Sequence, residues 1–523
     1  TGSGVLKLAG SNTLSSGINI NGGVVELDSS GALGTTTRNI SFGGGTLRYS
    51  SSNQTDYSSW FINATGQQYS VDVYNQYVTW ATSLPSSGTS LKVSDSTGGS
   101  GVLNLTNSNN FSNGITLYGG NLYLGNTSAI GSTGDITFGS QAQGYGTLRY
   151  SASNTNDYSS RIKGGIVSVD TYGQTVTWES ALTVTGLVVK NTTGSGVLVL
   201  KPASANTWGT VNQGVEGTYI ASGATLRTDN IYALPSSNAT LTIYGNLNLN
   251  GYSHSVAGID GSGTITSATG SPTLTLSTDY QYHSGGYYYY DHSYWGNITG
   301  TISIVKAGPY TQSLSGNSSF TGTVQINGGV LGADSTNALS SSNGVISFAN
   351  GAFLRYGNTV DYSGRFSQAS GQLYSIDIYN RSVTWNTQLA GTIGLYLRDT
   401  YTNAGVLTLA PSALNSFTNG ITLNSGFLAL GNTNAIDHHG TISFTGGTLR
   451  FTSGNTSDYS DQFSNSSNQS YRVDLYGQTV NFANSLSSSG GTFTLYDNYT
   501  GAVGVLTFSA ANSYTAGTTV YSG

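Results

Sequence analysis

Apolar residues in this chain come in short runs that alternate with polar ones, and no run is long. The first eighty residues show the pattern: GVLKL at 4–8, GININ at 17–21, VVEL at 24–27, ISF at 40–42, TLRY at 46–49, SVDVY at 70–74 and VTW at 78–80. Three to five residues of period 2 predict strands with one buried face. The Gly-Gly and Asn-Gly punctuation between them supplies turns of positive φ. Strands this short do not make an independently stable sandwich, but stacked on one another they bury a continuous core.

The runs recur at long range. Gly-Val-Leu followed two places on by Leu or Phe stands at Gly4, Gly101, Gly196, Gly405 and Gly504, with gaps of 97, 95, 209 and 99 residues. Leu-Arg-Tyr or Leu-Arg-Phe appears at 47–49, 148–150, 354–356 and 449–451, and Asp-Tyr-Ser begins at Asp56, Asp157, Asp361 and Asp458. Then come VDVYNQYVTW (71–80), VDTYGQTVTW (169–178), IDIYNRSVTW (376–385) and VDLYGQTVNF (473–482). Four landmarks in one order predict a continuous all-β, parallel β-solenoid of about five units, at about 1–97, 98–193, 194–300, 301–401 and 402–500, with a partial unit at 501–523. A coil of about 20 to 25 residues gives about four coils per unit, and strands ~4.8 Å apart then give a rod on the order of 100 Å long. The competing arrangement is a string of separate small β domains. Against it, no charged or Pro-rich linker divides the units, and the whole chain has 6 prolines.

Charge placement bears on the stacking. Arg48 precedes Asp72 by 24 residues, Arg149 precedes Asp170 by 21, Arg355 precedes Asp377 by 22, and Arg450 precedes Asp474 by 24. Each lies between apolar neighbours and is expected to point outward. On coils of that length each Arg lies beside its Asp, and such an exposed pair is worth about 0.2–1 kcal/mol. Its expected value is register.

Composition narrows the function classes. Charged residues are 8% of the chain, against about 25% in an ordinary domain. Seventeen Lys and Arg spread over 523 residues make no basic stripe for nucleic acid. Zero Cys excludes a disulfide framework and a cysteine nucleophile, and zero Met with it suits an exposed extracellular life. No run approaches the roughly 20 apolar residues of a membrane helix. No secretory signal opens the chain, and residues 509–523 match the phase of 9–23, so a window on a longer protein is expected.

Candidate chemistry is sparse. The third unit loses the Asp-Tyr-Ser marker and carries instead YQYHSGGYYYYDHSYWGN at 280–297. Tyr287, Tyr288, Tyr289 and Tyr290 in tandem would put rings on both faces of a strand, which predicts a loop or lateral protrusion. With Tyr294 and Trp295 they are the candidate binding or inter-subunit contact, because exposed rings make rigid contacts and stack on sugars. Packing of the same rings against a bulge or a neighbour is the plainer alternative. His283, Asp291 and His292, with Asp279 near, follow no zinc spacing, and His438-His439 reads as a solvated pair at a turn, so no metal or other cofactor is expected. Asp56 and its copies could suggest glycosidase carboxylates, which come as two at a defined separation in one cleft. One Asp recurring beside Tyr and Ser is instead what a turn cap looks like. P-loop, GxSxG and HExxH motifs are absent, and no catalytic residue is expected.

Modules of the form GVLxL…N…F/YTNGITLxGGxLxLGNTxAIG…GxITFxGGTLRY run from 101–124 on to 131 and 150, and from 405–430 on to 446–451. They resemble the autotransporter-associated β-strand repeats of bacterial passenger proteins, as does LNLNGYSHSVAGIDGSGTITS at 247–267. The resemblance implies a right-handed parallel β-solenoid exported across a bacterial envelope and displayed on the cell surface, in a family of adhesins and extracellular structural proteins. It transfers no catalytic residue, and neither a translocator barrel nor a signal sequence is part of it. Three functions are thereby expected in order. The first is a structural rod, fibre or sheath that self-associates into filaments or a surface layer. The second is an adhesin that binds glycans or a substratum through 280–297. The third is a polysaccharide-active β-helix enzyme, which would need a unique acidic or basic cleft.

Overall fold

The computed structural model describes residues 4–141, 144–208, 217–235, 239–277, 281–283, 286–288, 291–341, 344–349 and 351–521, with backbone alone at 140–141, 144, 281–283 and 286–288. The chain is an all-β parallel solenoid of about 22 turns. Among the described residues its helix consists of single 3-10 turns at Ser58–Trp60, Ser159–Arg161, Ser363–Arg365 and Ser460–Gln462. None of the helices is long and apolar enough to cross a membrane, which says nothing of strands that might do so.

Two units divide the chain. In the first, Thr1–Pro272 with Tyr280–Tyr288, Val78, Leu103, Leu122, Leu148, Val169, Val189, Ile220 and Ile243 stand in parallel register, one per coil. All eight are fully buried. In the second, Thr273–Asp279 with Tyr289–Gly523, Leu331, Leu354, Ile376, Leu397, Leu423 and Phe444 form an equivalent ladder, again fully buried. Burial alternates along single strands such as Val24–Leu27 and Phe353–Tyr356, as period 2 requires. Coil length follows from the register. Leu47 pairs with Val71 and Val71 with Val93, steps of 24 and 22 residues, while Leu187 pairs with Thr218, a step of 31.

Buried asparagines tie the corners. Asn109 accepts the Leu84 amide of the coil before at 3.0 Å and donates to the Ala129 carbonyl of the coil after at 2.8 Å. Asn206 and Asn415 span three coils in the same way. Each satisfies an amide and a carbonyl that a corner would otherwise leave without a ladder partner.

Candidate functional site

The strand that carries Leu-Arg-Tyr is followed, one coil on, by the strand that carries Val-Asp. The register sets Arg48 beside Asp72, Arg149 beside Asp170, Arg355 beside Asp377 and Arg450 beside Asp474. In three copies the guanidinium Nε donates to the carboxylate Oδ2, at 2.8 Å for Arg48, 2.9 Å for Arg149 and 2.7 Å for Arg450. The residue after each Val-Asp-x or Ile-Asp-x is a Tyr at left-handed φ, between 46° and 49° for Tyr74, Tyr172, Tyr379 and Tyr476. That turn folds the ring under the guanidinium, with the Arg Cζ 4.7 to 5.1 Å from the ring centre.

These carboxylates do not lie exposed, which corrects the outward, solvated pair expected from alternation. Asp170 and Asp474 side chains are fully buried, and those of Asp72 and Asp377 nearly so. The cause is the next coil. Asp170 Oδ1 accepts the amides of Tyr172 and Thr192 at 3.0 and 3.1 Å, and its Oδ2 accepts the Thr192 hydroxyl at 2.6 Å. Ser96 roofs Asp72, Thr400 roofs Asp377 and Asn498 roofs Asp474 in the same manner. In the first, second and fourth copies the node thus clamps three successive coils, and breaking such a buried pair costs about 3–5 kcal/mol, well above a surface pair.

The third copy departs from the expected pairing. Arg355 turns back to Asp334 at 3.0 Å and to the Ser313 hydroxyl at 2.6 Å, and its Nε has no hydrogen-bond partner in the protein. Asp377 is held by Arg398 at 3.3 Å instead. Arg398 stands in register with Asp377, where the other copies have Ser94, Lys190 and Tyr496, and it takes the carboxylate that Arg355 leaves, whereas Lys190 of the second copy donates to the Thr147 hydroxyl at 3.2 Å.

Asp56 caps its 3-10 turn, accepting the Ser58 amide on Oδ1 and the Ala81 amide of the next coil on Oδ2, both at 2.8 Å. Asp157, Asp361 and Asp458 repeat the arrangement. A further set escaped the sequence reading. Asp95 accepts the amides of Asn75, Thr97 and Gly101, and Asp399 those of Asn380, Tyr401 and Gly405. Burial pushes the Asp95 carboxyl up, yet the Thr97 hydroxyl and the three amides outweigh it and hold the group below its usual range. An Asp six residues ahead of Gly-Val-Leu was the available signal. Every one of these oxygens is engaged in architecture.

The aromatic segment is only partly described. Gln281–His283 and Gly286–Tyr288 pair antiparallel, with Tyr282 opposite Tyr287, in a chain whose coils pair parallel. Tyr289 and Tyr290 lie outside the described residues, as do the side chains of His283, Tyr287 and Tyr288. Tyr294 is fully buried in His292–Tyr294, and burial raises its phenol. That removes it from the candidate contact set, because the strand alternation turns its ring into the core. Trp295, next in sequence, is 67% exposed. Asp291 is exposed and accepts the Thr311 amide at 3.1 Å, while His292 is buried.

Rings elsewhere meet solvent in pairs. Tyr401 lies 5.1 Å from Tyr379, and Tyr499 lies 5.2 Å from Tyr476, each extending an arginine–tyrosine contact outward. Tyr77, Tyr244, Tyr401 and Tyr499 are all exposed. Tyr401 and Tyr499, each held against a tyrosine that a guanidinium covers, offer exposed ring surface for stacking.

The passenger-associated-transport-repeat family matches the chain at 1–27, 304–333, 400–430 and 500–523. All four stretches contain a Gly-Val-Leu string, at Gly4, Gly329, Gly405 and Gly504. At these four stretches the chain carries passenger-associated-transport repeats. A relative, the Adhesin BmaC autotransporter of Brucella suis biovar 1 (strain 1330), is 32% identical over 238 residues. The aligned stretch is 42% of this chain and 6% of that adhesin, so the chain spans a small part of the relative's length. No solved structure matches the chain.

Proposed function

We propose that this chain is a surface-displayed, non-catalytic stretch of an adhesin-type autotransporter passenger, and that its bare rings make the contacts. The observation that carries the reading is the 32% identity with an adhesin autotransporter in a chain built of passenger repeats. The chemistry agrees with it. Repeated carboxylates are committed to amides and guanidinium groups, whereas Trp295, Tyr401 and Tyr499 offer unoccupied faces to sugars or to a substratum. The place of action is then outside the cell, on a bacterial surface.

The test is attachment. The chain coupled to beads is offered to a glycan array and to epithelial cells, beside a variant with Trp295→Ala, Tyr401→Ala and Tyr499→Ala. Binding by the native chain and its loss in the variant is the expected result. Equal retention by both, or none by either, refutes the reading. The 8% charge also supports a structural role, since faces poor in charge lose little on desolvation when they associate laterally. Negative-stain electron microscopy of the concentrated chain decides that role, with ordered filaments expected and dispersed particles against it.

A further inference from the structure

In the second, third and fourth copies the third residue of the 3-10 turn reaches back to the turn at the corner of the preceding coil, and its identity is not constant among the four copies. In the second copy Arg161 donates from Nε to the Gly134 carbonyl at 2.7 Å and from Nη1 to the Gly131 carbonyl at 2.9 Å. In the third, Arg365 donates from Nε to Gly344 at 2.8 Å and from Nη1 to Leu339 and Ser340 at 2.8 and 2.9 Å. A guanidinium therefore fills a pocket walled by backbone carbonyls. The first copy has Trp60 at this place and Gly34 in the facing turn, so it carries neither charge.

The fourth copy exchanges both residues. Gln462 replaces the arginine, and Asp437 stands where Gly131 and Ser340 stand. Gln462 Nε2 still donates to the equivalent carbonyl, that of Asp437, at 2.8 Å. The amide oxygen of the same side chain is buried and has no hydrogen-bond partner in the protein, and neither has Asp437 Oδ1. Both side chains are more than nine-tenths buried, Asp437 at 4% exposed and Gln462 at 7%. The other carboxylate oxygen of Asp437 faces the rim, 3.0 Å from His439 Nδ1, and leaves Oδ1 directed inward. His438 stacks on Tyr459 and lies 3.3 Å from Asp461, on the exposed side. Relative to its sister copies, this pocket has lost a cation and gained an anion while keeping its carbonyl wall.

A buried carboxylate oxygen without a donor is expensive, and so is a buried amide oxygen. Two such acceptors beside backbone carbonyls, in place of a guanidinium, are the donor set of a hard cation. We propose that Asp437 Oδ1, Gln462 Oε1 and the carbonyls of the 436–440 turn bind Ca²⁺, which takes the place of the arginine found in the two sister copies. Few protein ligands and an open rim leave the remaining positions to water. The affinity then falls in the weak class of extracellular modules, a Kd of roughly 10⁻⁴–10⁻³ M.

Equilibrium dialysis of the full chain against ⁴⁵Ca²⁺ at constant ionic strength tests this. One saturable site per chain in that range is expected. Gln462→Arg supplies the guanidinium of the second and third copies, and Asp437→Ser supplies the third copy's residue, so each variant carries a side chain the fold already accepts there. Each is expected to weaken Ca²⁺ binding at least tenfold. A native chain with no saturable site overturns the proposal and leaves the pocket to water. Native-like binding by either variant overturns it too, by placing the ion elsewhere.

Discussion

Replacing Asp170 by Asn changes one atom at the centre of a clamp. Its Oδ2 accepts the Arg149 Nε at 2.9 Å and the Thr192 hydroxyl at 2.6 Å, while Oδ1 accepts the amides of Tyr172 and Thr192. An asparagine NH₂ in place of Oδ1 faces two backbone amides, and in place of Oδ2 it faces the Arg149 Nε even if the Thr192 hydroxyl turns to accept from it, so neither orientation satisfies every group. The charge opposite Arg149 is lost in both. A buried donor left without an acceptor costs about 1–3 kcal/mol, and a hydrogen bond to a charged group is worth about 1.5–3 kcal/mol. The neutral amide is cheaper to bury than the carboxylate, which offsets part of this. The net is about 3 kcal/mol, a factor of about 10² at 1.4 kcal/mol per tenfold.

Solenoids open locally, so a global midpoint would dilute that loss. Native-state hydrogen exchange read at the Tyr172 and Thr192 amides reports it directly. Asp170→Asn is expected to speed their exchange about 10²-fold under conditions where opening is in equilibrium. The third copy supplies the control. Arg355 makes its ion pair with Asp334, so Arg355→Ala should leave the Thr400 amide on Asp377 within about threefold of native, whereas Arg398→Ala should not. Exchange at Tyr172 and Thr192 within about threefold of native in Asp170→Asn would refute the clamp. So would an Arg355→Ala chain that frees Thr400.

Three further outcomes follow from single contacts. Trp178 Nε1 donates to the buried Tyr150 hydroxyl at 2.9 Å, so Tyr150→Phe should cost about 1–3 kcal/mol by urea unfolding followed through Trp fluorescence of the second copy. The double variant Tyr150→Phe with Trp178→Phe removes the orphaned donor, and its coupling energy in a double-mutant cycle should be favourable, since the fourth copy has Phe451 and Phe482 at these places. Gly165 has φ 76° and a Cβ there would lie 2.0 Å from the Phe138 carbonyl oxygen, so Gly165→Ala should abolish protection of the Thr185 amide, which donates to Gly165. Burial lowers the His254 imidazole from 6.5 to about 4. The unfolded chain therefore takes up a proton between pH 6.5 and about 4 that the folded chain refuses, and stability falls as pH drops through that window, by about 2 kcal/mol at pH 5. His254→Leu should flatten the urea midpoint between pH 7 and 5 relative to native, and an identical slope in both would exclude the histidine as its source.

The coils were legible because alternation, glycine turns and repeated strings all specify the same local geometry. Leu47, Val71 and Val93 could be set one coil apart from the spacing alone. Depth was not legible. Alternation says which side of a strand Asp170 leaves from, but not that the left-handed Tyr172 turn and Thr192 of the next coil would roof it. Burial at a corner depends on residues about 20 positions away, and no period of two carries that information. The same blindness put Tyr294 in the contact set, since a run of aromatics looks exposed until the strand phase at His292–Tyr294 turns one ring inward. Arg355 failed for a different reason: spacing identifies neighbours, and Arg398, a neighbour on the other side, won the carboxylate.

The recurring positions also act as substitutions the chain has made in itself, and they obey one rule about partners. Tyr49 with Trp80, Tyr150 with Trp178 and Tyr356 with Trp385 are donor and acceptor, and the fourth copy replaces both with Phe, so nothing polar is left buried. At the clamp of the third copy Arg398 enters as Arg355 leaves, and Asp377 keeps a cation. The corner pocket departs from that rule, as the unpartnered Arg355 Nε does at the third clamp. Arg161 and Arg365 become Gln462 while Asp437 appears, which removes a donor and adds an acceptor in the same place. The two buried oxygens there either have no partner or take one from solution. The second alternative is the one with a measurable stoichiometry, and the sister copies provide the two substitutions that remove it.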